Sequence, residues 1–289
     1  MLDAGLNAGA DTGLRVALTT PRILIREVLA GLVVGLALIP EAISFSIIAG
    51  VDPKVGLFSA FIMAVTIAFV GGRPAMISAA TGAVALVVAP IAREYGMDYL
   101  IATVLLAGVF QIVLAVLGVA KLMRFIPRSV MVGFVNSLAI LIFSAQIPEL
   151  IDVPWLVYPL VALGIVLLVS FPKVTKAIPA PLVSIVVVTV LVVVCSFSVP
   201  TVGDKGELPR SLPELFIPQV PWTVETLQII APVAIAMALV GLMESLMTAK
   251  LVDEITDTHS NKTRESFGQG VANIASGLFG GMGLSLIHI

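Results

Sequence analysis

AMISAATGAVALVVAPIA, residues 75–92, decides how this chain folds. It is apolar enough to enter a membrane, yet it is short and is interrupted by Thr81-Gly82 and Pro90. A spanning helix needs about 20 mostly apolar residues. Smoother stretches at 26–50, 55–71, 98–119, 129–147, 154–171, 181–199 and 224–250 meet that need. A further stretch, 265–282 (ESFGQGVANIASGLFGGM), is glycine-rich and weakly hydrophobic. If 75–92 crosses the membrane, eight segments precede residue 251 and a ninth begins after it.

Loop charges favour that crossing. With the N-terminus inside, the inner side collects Arg15, Arg22, Arg26, Arg73, Lys121, Arg124, Arg128, Lys173, Lys176, Lys250, Lys262 and Arg264. The outer side keeps only Lys54, Arg93, Lys205 and Arg210. Cytoplasmic loops carry the excess of Lys and Arg. Without a crossing at 75–92, RFIPR (124–128) and the lysines at 173–176 would lie outside and the asymmetry would vanish.

Composition sets the class. The chain is 59% hydrophobic and 12% charged, with a mean hydropathy of +1.12. Soluble domains carry about 25% charged residues, so an ordinary cytoplasmic enzyme is excluded. A formal net charge of -2 gives no sign of a nucleic-acid partner. Cys195, in VVVCSFS, cannot form an internal disulfide because it has no partner cysteine; it reads as a small buried apolar residue. The first apolar segment follows a polar tail and exceeds the roughly 7–15-residue core of a cleavable signal.

Two of the apolar segments carry acids. Glu41 lies in LALIPEAISFSIIAG (36–50) and Glu244 in APVAIAMALVGLMESLMTA (231–249). A charged side chain at that depth costs at least a few kcal/mol unless it is neutralised, paired or wetted. Both acids therefore point to a polar site within the membrane, and to transport. Pro40 removes a backbone donor beside Glu41 and predicts a kink, and Ser44 shares its face one turn on. Glu244 and Thr248 stand four residues apart on one helix face, with Gly241 a turn earlier. A carboxylate with a hydroxyl can hold Na+, and a carboxylate alone can carry a proton; the plain alternative is a helix-end glutamate neutralised by Lys250.

In 75–92, an extended AMISAA run leads into Thr81-Gly82 and then a helical pattern ending near Pro90. A half-helix starting there would aim free N–H groups and a positive dipole end at the bilayer midplane, which suits an anion. The competing reading is an amphipathic linker with Thr81 as a simple N-cap. Gly31/Gly35 and Gly277/Gly281 are small-xxx-small pairs that predict close helix packing; Asn136 and Gln146 read as interhelical hydrogen-bonding groups. His259 and His288 have no metal-ligand or nucleophile partner at useful spacing, and no catalytic motif is present. No enzyme activity, resident metal or cofactor is expected.

Several motifs together resemble the SulP (sulfate permease) family of inorganic anion transporters. They are LAGLVVGLALIPEAISFSIIAGV (29–51), GGRPAMISAATGAVAL (71–86), GFVNSLAILIF (133–143) and the run from LMESLMTAK to GGMG (242–283). The resemblance implies an all-α polytopic membrane protein, the first part of a 7+7 inverted-repeat transporter fold. Its third helix is broken and preceded by a short extended segment. It further implies a core domain of segments 1–4 and 8–11, a gate domain of segments 5–7 and 12–14, and commonly a cytosolic STAS domain. On that pattern Glu41, Ser44, Thr81 and Gly82 belong to the substrate site, and Glu244 and Thr248 to the cation-coupling site. Na+ at Glu244 and Thr248, or H+, is the coupling ion.

The expected organisation is a cytoplasmic tail at 1–22, core segments at 23–128, gate segments at 129–200 and an external loop at 201–222. Core segments resume at 223–282. Residues 283–289 read GLSLIHI where the family continues, so an anomalous, truncated tail is expected, with the second half-helix and half the gate beyond it. Expected partners are a small inorganic anion, the lipid bilayer and, in the full-length protein, a second copy. The expected place is the plasma (bacterial inner) membrane with the N-terminus cytoplasmic. The alternatives are a nucleobase or ascorbate-type permease of the same fold, or a non-transporting membrane scaffold or sensor.

Overall fold

The computed structural model describes residues 21–72, 76–79, 81–121, 127–175, 178–257, 259–283 and 285–288. Most of the tail at 1–22, with Arg15, lies outside the described residues, as do Arg73, Arg124 and Lys176. Nine helices and two short strands are described: α1 Pro21–Ala49, α2 Pro53–Val70, β1 Met76–Ala79, α3 Gly82–Tyr95, α4 Met97–Val116, α5 Arg128–Gln146, α6 Val157–Val174, α7 Ala180–Val194, α8 Val224–Thr256, α9 Lys262–Leu278 and β2 Ser285–His288. Six described helices are long and apolar enough to cross a membrane, and α7 is a shorter apolar one.

Neither Pro40, expected to kink its helix, nor Pro90, expected to end its own, terminates a helix. α1 continues unbroken through Pro40, and α3 passes Pro90 to end at Tyr95. Gly96 then turns the chain into α4 at a φ of 84°, a conformation in which a Cβ would be strained. α8 is longer than the hydropathy pattern implied. Thr223 caps its start by accepting from the Thr226 N–H at 3.3 Å, and its C-cap Asp257 is left-handed. With the helix running to Thr256, Glu244 lies about three turns from its end. A helix-end glutamate is therefore excluded.

α1–α4, α8 and α9 pack into one body, and its best-buried apolar residues include Met63, Leu100, Met237 and Met282. α6 and α7 pack on each other, and α5–α7 meet that body chiefly where α7 touches α1 and α5 touches α3. The weakly hydrophobic stretch at 265–282 becomes α9, a helix buried on its small and polar residues. There α4 and α9 approach backbone to backbone. A Cβ on Gly270 would lie 2.8 Å from the Gly108 carbonyl oxygen, and one on Gly108 would lie 2.8 Å from that of Gly270.

Three expectations are corrected. Gly31 and Gly35 have nothing within 4 Å of a would-be Cβ, so this pair makes no close helix contact among the described residues. Asn136 is exposed and forms no hydrogen bond with a described residue. Cys195 is exposed rather than buried, because α7 ends at Val194 and the chain leaves the bundle there.

The stretch at 201–222 is mostly without regular structure, as its prolines predict, but it is tied down. Lys54 donates to Glu207 Oε2 at 2.6 Å, and its backbone N–H donates to the Glu207 carbonyl at 3.1 Å. The Phe216 N–H donates to the Leu278 carbonyl and the Gln219 N–H to Asp98 Oδ1. Lys205 pairs with Glu149, next to α5. The segment thus spans from the α5 side to the ends of α2, α4 and α9.

Candidate functional site

The break in 75–92 has the predicted form. β1 is extended, Thr81 occupies the N-cap position with φ -126° and ψ 143°, and α3 begins at Gly82. The Thr81 hydroxyl does not cap the helix: it accepts from no first-turn N–H, and its Oγ1 is buried without a hydrogen-bond partner among the described residues. The first turn of a helix leaves backbone N–H groups unsatisfied and carries the positive end of the helix dipole. A simple N-cap would have used the hydroxyl to satisfy one of them. Gly82 keeps this end narrow, since a Cβ there would strike Ile142 of α5 and lie 3.0 Å from Phe45 of α1.

Opposite Thr81 stands Glu244, brought there because α3 packs on α8. Glu244 is only 9% exposed, and its Oε2 is enclosed without a hydrogen-bond partner among the described residues. The hydroxyls of Thr81 and Ser285 lie close enough to the carboxyl to act on its charge. The family resemblance implied an anion role for Thr81 and a cation role for Glu244, as separate sites. The tertiary structure brings the two residues together. Thr248 is half-buried one turn on and makes no hydrogen bond with a described residue. Glu41 and Ser44 are half-buried on α1, which also packs on α3, and neither has a hydrogen-bond partner among the described residues.

Around this pair runs a polar interior that hydropathy did not reveal. Ser78 Oγ donates to Gln269 Oε1 at 2.9 Å, and Asn273 Nδ2 donates to Gln111 Oε1 at 2.8 Å. Ser285 Oγ donates to the Gly241 carbonyl at 2.8 Å. Gln111 Nε2 lies 2.9 Å from where a Cβ on Gly241 would be, so a side chain there would displace the Gln111 amide. Gln111 and Ser245 are fully buried, and Gln111 Nε2 and Ser245 Oγ have no partner. Phe45, Gln111, Ile142 and Ser245 are the site neighbours that sequence reasoning missed. The only available signal was the polar QGVAN run of α9, which calls for buried polar partners elsewhere. Among the described residues, no group of three or more His, Cys, Asp or Glu could hold a metal ion.

The tail read as anomalous has a defined backbone. β2 pairs antiparallel with β1, in the register Met76↔His288 to Ala79↔Ser285. The two strands satisfy each other's backbone groups where a broken segment would otherwise leave them bare.

The model of the sulfate permease family matches residues 24–156 and 151–286. The chain belongs to the sulfate permease family. One family relative is the Bacillus subtilis protein named "Putative sulfate transporter YbaR", 54% identical over 257 residues, which cover 89% of this chain and 54% of YbaR. The bicarbonate transporter BicA of Picosynechococcus is 28% identical over 89% of this chain and 50% of its own length. The chain therefore spans about half the length of the curated relatives it matches.

Among solved structures, the transmembrane domain of a cyanobacterial BicA superposes with a TM-score of 0.79 at 23% identity, covering 91% of this chain and 74% of that one. Murine Slc26a9 in its inward-facing state superposes with a TM-score of 0.75 at 16% identity, over 91% of this chain and 51% of that one. These likenesses bear out an all-α polytopic fold with a broken third segment, the first part of a 7+7 inverted repeat. The chain is an integral membrane protein in a family of transporters, not enzymes.

Proposed function

We propose that the chain supplies the anion-binding part of a secondary active transporter for an inorganic anion of the sulfate or bicarbonate class, coupled to H+ or Na+. One observation carries this reading: the uncapped start of α3 faces a buried, incompletely satisfied carboxyl at Glu244. Positive dipole ends of broken helices are the usual binding elements for anionic groups in transporters. The relatives named for sulfate and bicarbonate set the substrate class.

The geometry gives a reason for coupling. An ionised Glu244 and a substrate anion would compete for the same positive helix end and repel each other in a poorly wetted space. A proton on the carboxyl, or Na+ held by Glu244 with nearby hydroxyls, removes that conflict, so anion and cation are favoured together. Thr81 would donate to the anion, Gly82 would let Phe45 and Ile142 close in on the helix end, and those two side chains would wall the approach. Glu41 and Ser44 line the same approach from α1, and Thr248 extends the polar face beyond Glu244.

In this reading 23–128 and 223–282 form the core and 129–200 the gate, a division supported by the separate packing of α6 and α7. Ile142 places α5 against the α3 N-terminus, so relative movement of the two bodies would open or close the site. The N-terminus is cytoplasmic in a plasma (bacterial inner) membrane, on the strength of the Lys/Arg asymmetry. Apolar surface left exposed on α5–α7 leaves room for the remaining helices and for a second copy of the full-length protein. The test is binding of radiolabelled sulfate and bicarbonate to the purified chain, with uracil as competitor, and uptake by proteoliposomes holding a longer protein that contains it. Competition by uracil, or uptake unchanged by Glu244→Gln and Thr81→Val together, would refute the assignment.

A further inference from the structure

At the end of the bundle where α4 stops and α8 turns into α9, two cavities adjoin. The first, about 510 Å³, is lined by Lys121, His259 and Lys262 with small polar neighbours. The second, about 500 Å³, runs along the α4/α9 seam past Val116 and Phe267. They share Asn261 and Thr263, so a basic chamber opens into an apolar groove. Val116, the last residue of α4, and Leu117 just beyond it are 74% and 73% exposed, an apolar rim that acyl chains would cover.

Only part of the charge there is cancelled. Lys262 lies 3.4 Å from Asp253 Oδ2, which also accepts from Ser260 Oγ. Lys121 has no ion-pair partner among the described residues. The Arg264 guanidinium, on the groove wall, donates at 3.4 Å to the carbonyls of Phe69 and Val70 and meets no described acid.

We infer that this seam is a binding site for one anionic glycerophospholipid, its phosphate held by Lys121 and His259 in the basic chamber and an acyl chain laid along Val116 and Phe267. A zwitterionic lipid would gain the groove but not the charge. A free anion would gain the charge but leave the groove unused. Basic pockets between helices at a membrane face are suited to anionic headgroups, and each basic group near such a surface is worth about fivefold in association. The site is remote from Thr81 and Glu244 in sequence and chemistry and does not depend on the transport reading.

The test places a tryptophan at the groove (Phe267→Trp) in a Trp155→Phe, Trp222→Phe background, in nanodiscs. Quenching by brominated phosphatidylglycerol is compared with quenching by brominated phosphatidylcholine. The expected result is a fivefold or greater preference for phosphatidylglycerol, lost in Lys121→Gln/His259→Gln and kept in Lys173→Gln. Native mass spectrometry of the otherwise unaltered chain, with and without Lys121→Gln/His259→Gln, gives a second readout by counting retained phosphatidylglycerol. Equal quenching by both lipids, or a preference that survives the double variant, would overturn the site. Loss of the preference on adding inorganic phosphate would overturn it in favour of a soluble anion.

Discussion

Replacing Glu244 by Gln isolates the charge while nearly keeping shape. The carboxyl lies within electrostatic reach of Thr81, and an anion seated on the first-turn N–H groups of α3 would be about one hydroxyl further away. Two unit charges about 5 Å apart at an effective dielectric of about 20 repel by about 3 kcal/mol. Water entering between α1 and α5 would reduce this, leaving a gain of at least about tenfold in sulfate affinity when the repulsion is removed. Titration calorimetry of sulfate into the purified chain at several pH values reads both consequences. The Gln variant is expected to bind more tightly than the parent at alkaline pH and to lose most of the pH dependence. In a longer protein the same change is expected to abolish concentrative uptake while sparing exchange. Equal affinity in parent and variant across the pH range would refute the idea that Glu244 and the anion share one helix end.

Thr81→Val removes a hydroxyl that caps no helix N–H and stands beside the Glu244 carboxyl. Thermal stability is expected to hold, while sulfate binding weakens about tenfold or more, since hydrogen bonds to charged groups are worth about 1.5–3 kcal/mol; a variant that binds normally would remove Thr81 from the site. Gly270→Ala puts a Cβ 2.8 Å from the Gly108 carbonyl oxygen. Overpacking of about 1–3 kcal/mol is expected to outweigh or cancel the gain of up to about 1 kcal/mol from helix propensity. Gly35→Ala, in open space, is expected to be neutral or stabilising, and unfolding in denaturant compares the two. Glu207 is held below the usual carboxylate range, chiefly by the hydrogen bond from Lys54. The tie is thus present above the unfolded carboxylate value and is lost as pH falls through the lowered folded value, or as salt is raised. The protection of residues 205–210 from hydrogen exchange, relative to the intrinsic rate at each pH, is expected to fall in acid, and protection unchanged by pH would refute the tether.

The broken segment at 75–92 was readable because a Thr-Gly step inside an apolar run has few other uses, and because loop charges required a crossing there. The two acids within apolar segments were readable for the same energetic reason: hydrocarbon makes an ionisable group conspicuous. Their partners were not. Glu244 was matched to Thr248 because the helical period puts them on one face, whereas the residue it meets, Thr81, lies 163 positions earlier in the chain. The glycine pairs show the same limit. Gly31/Gly35 has the spacing of a packing motif and faces open space, while the close contact is made by Gly108 with Gly270, which share no local pattern.

The amino-acid sequence alone determined the solvent of this protein, its crossings and the place of the helix break, because transfer of apolar and charged groups into lipid is a local cost counted residue by residue. Only the tertiary structure decided which buried polar groups meet. The uncapped α3, Glu244 and the Gln111–Asn273 pair come together through helix contacts between distant segments. A one-dimensional period can say which face of a helix is polar, but not which other helix that face will find.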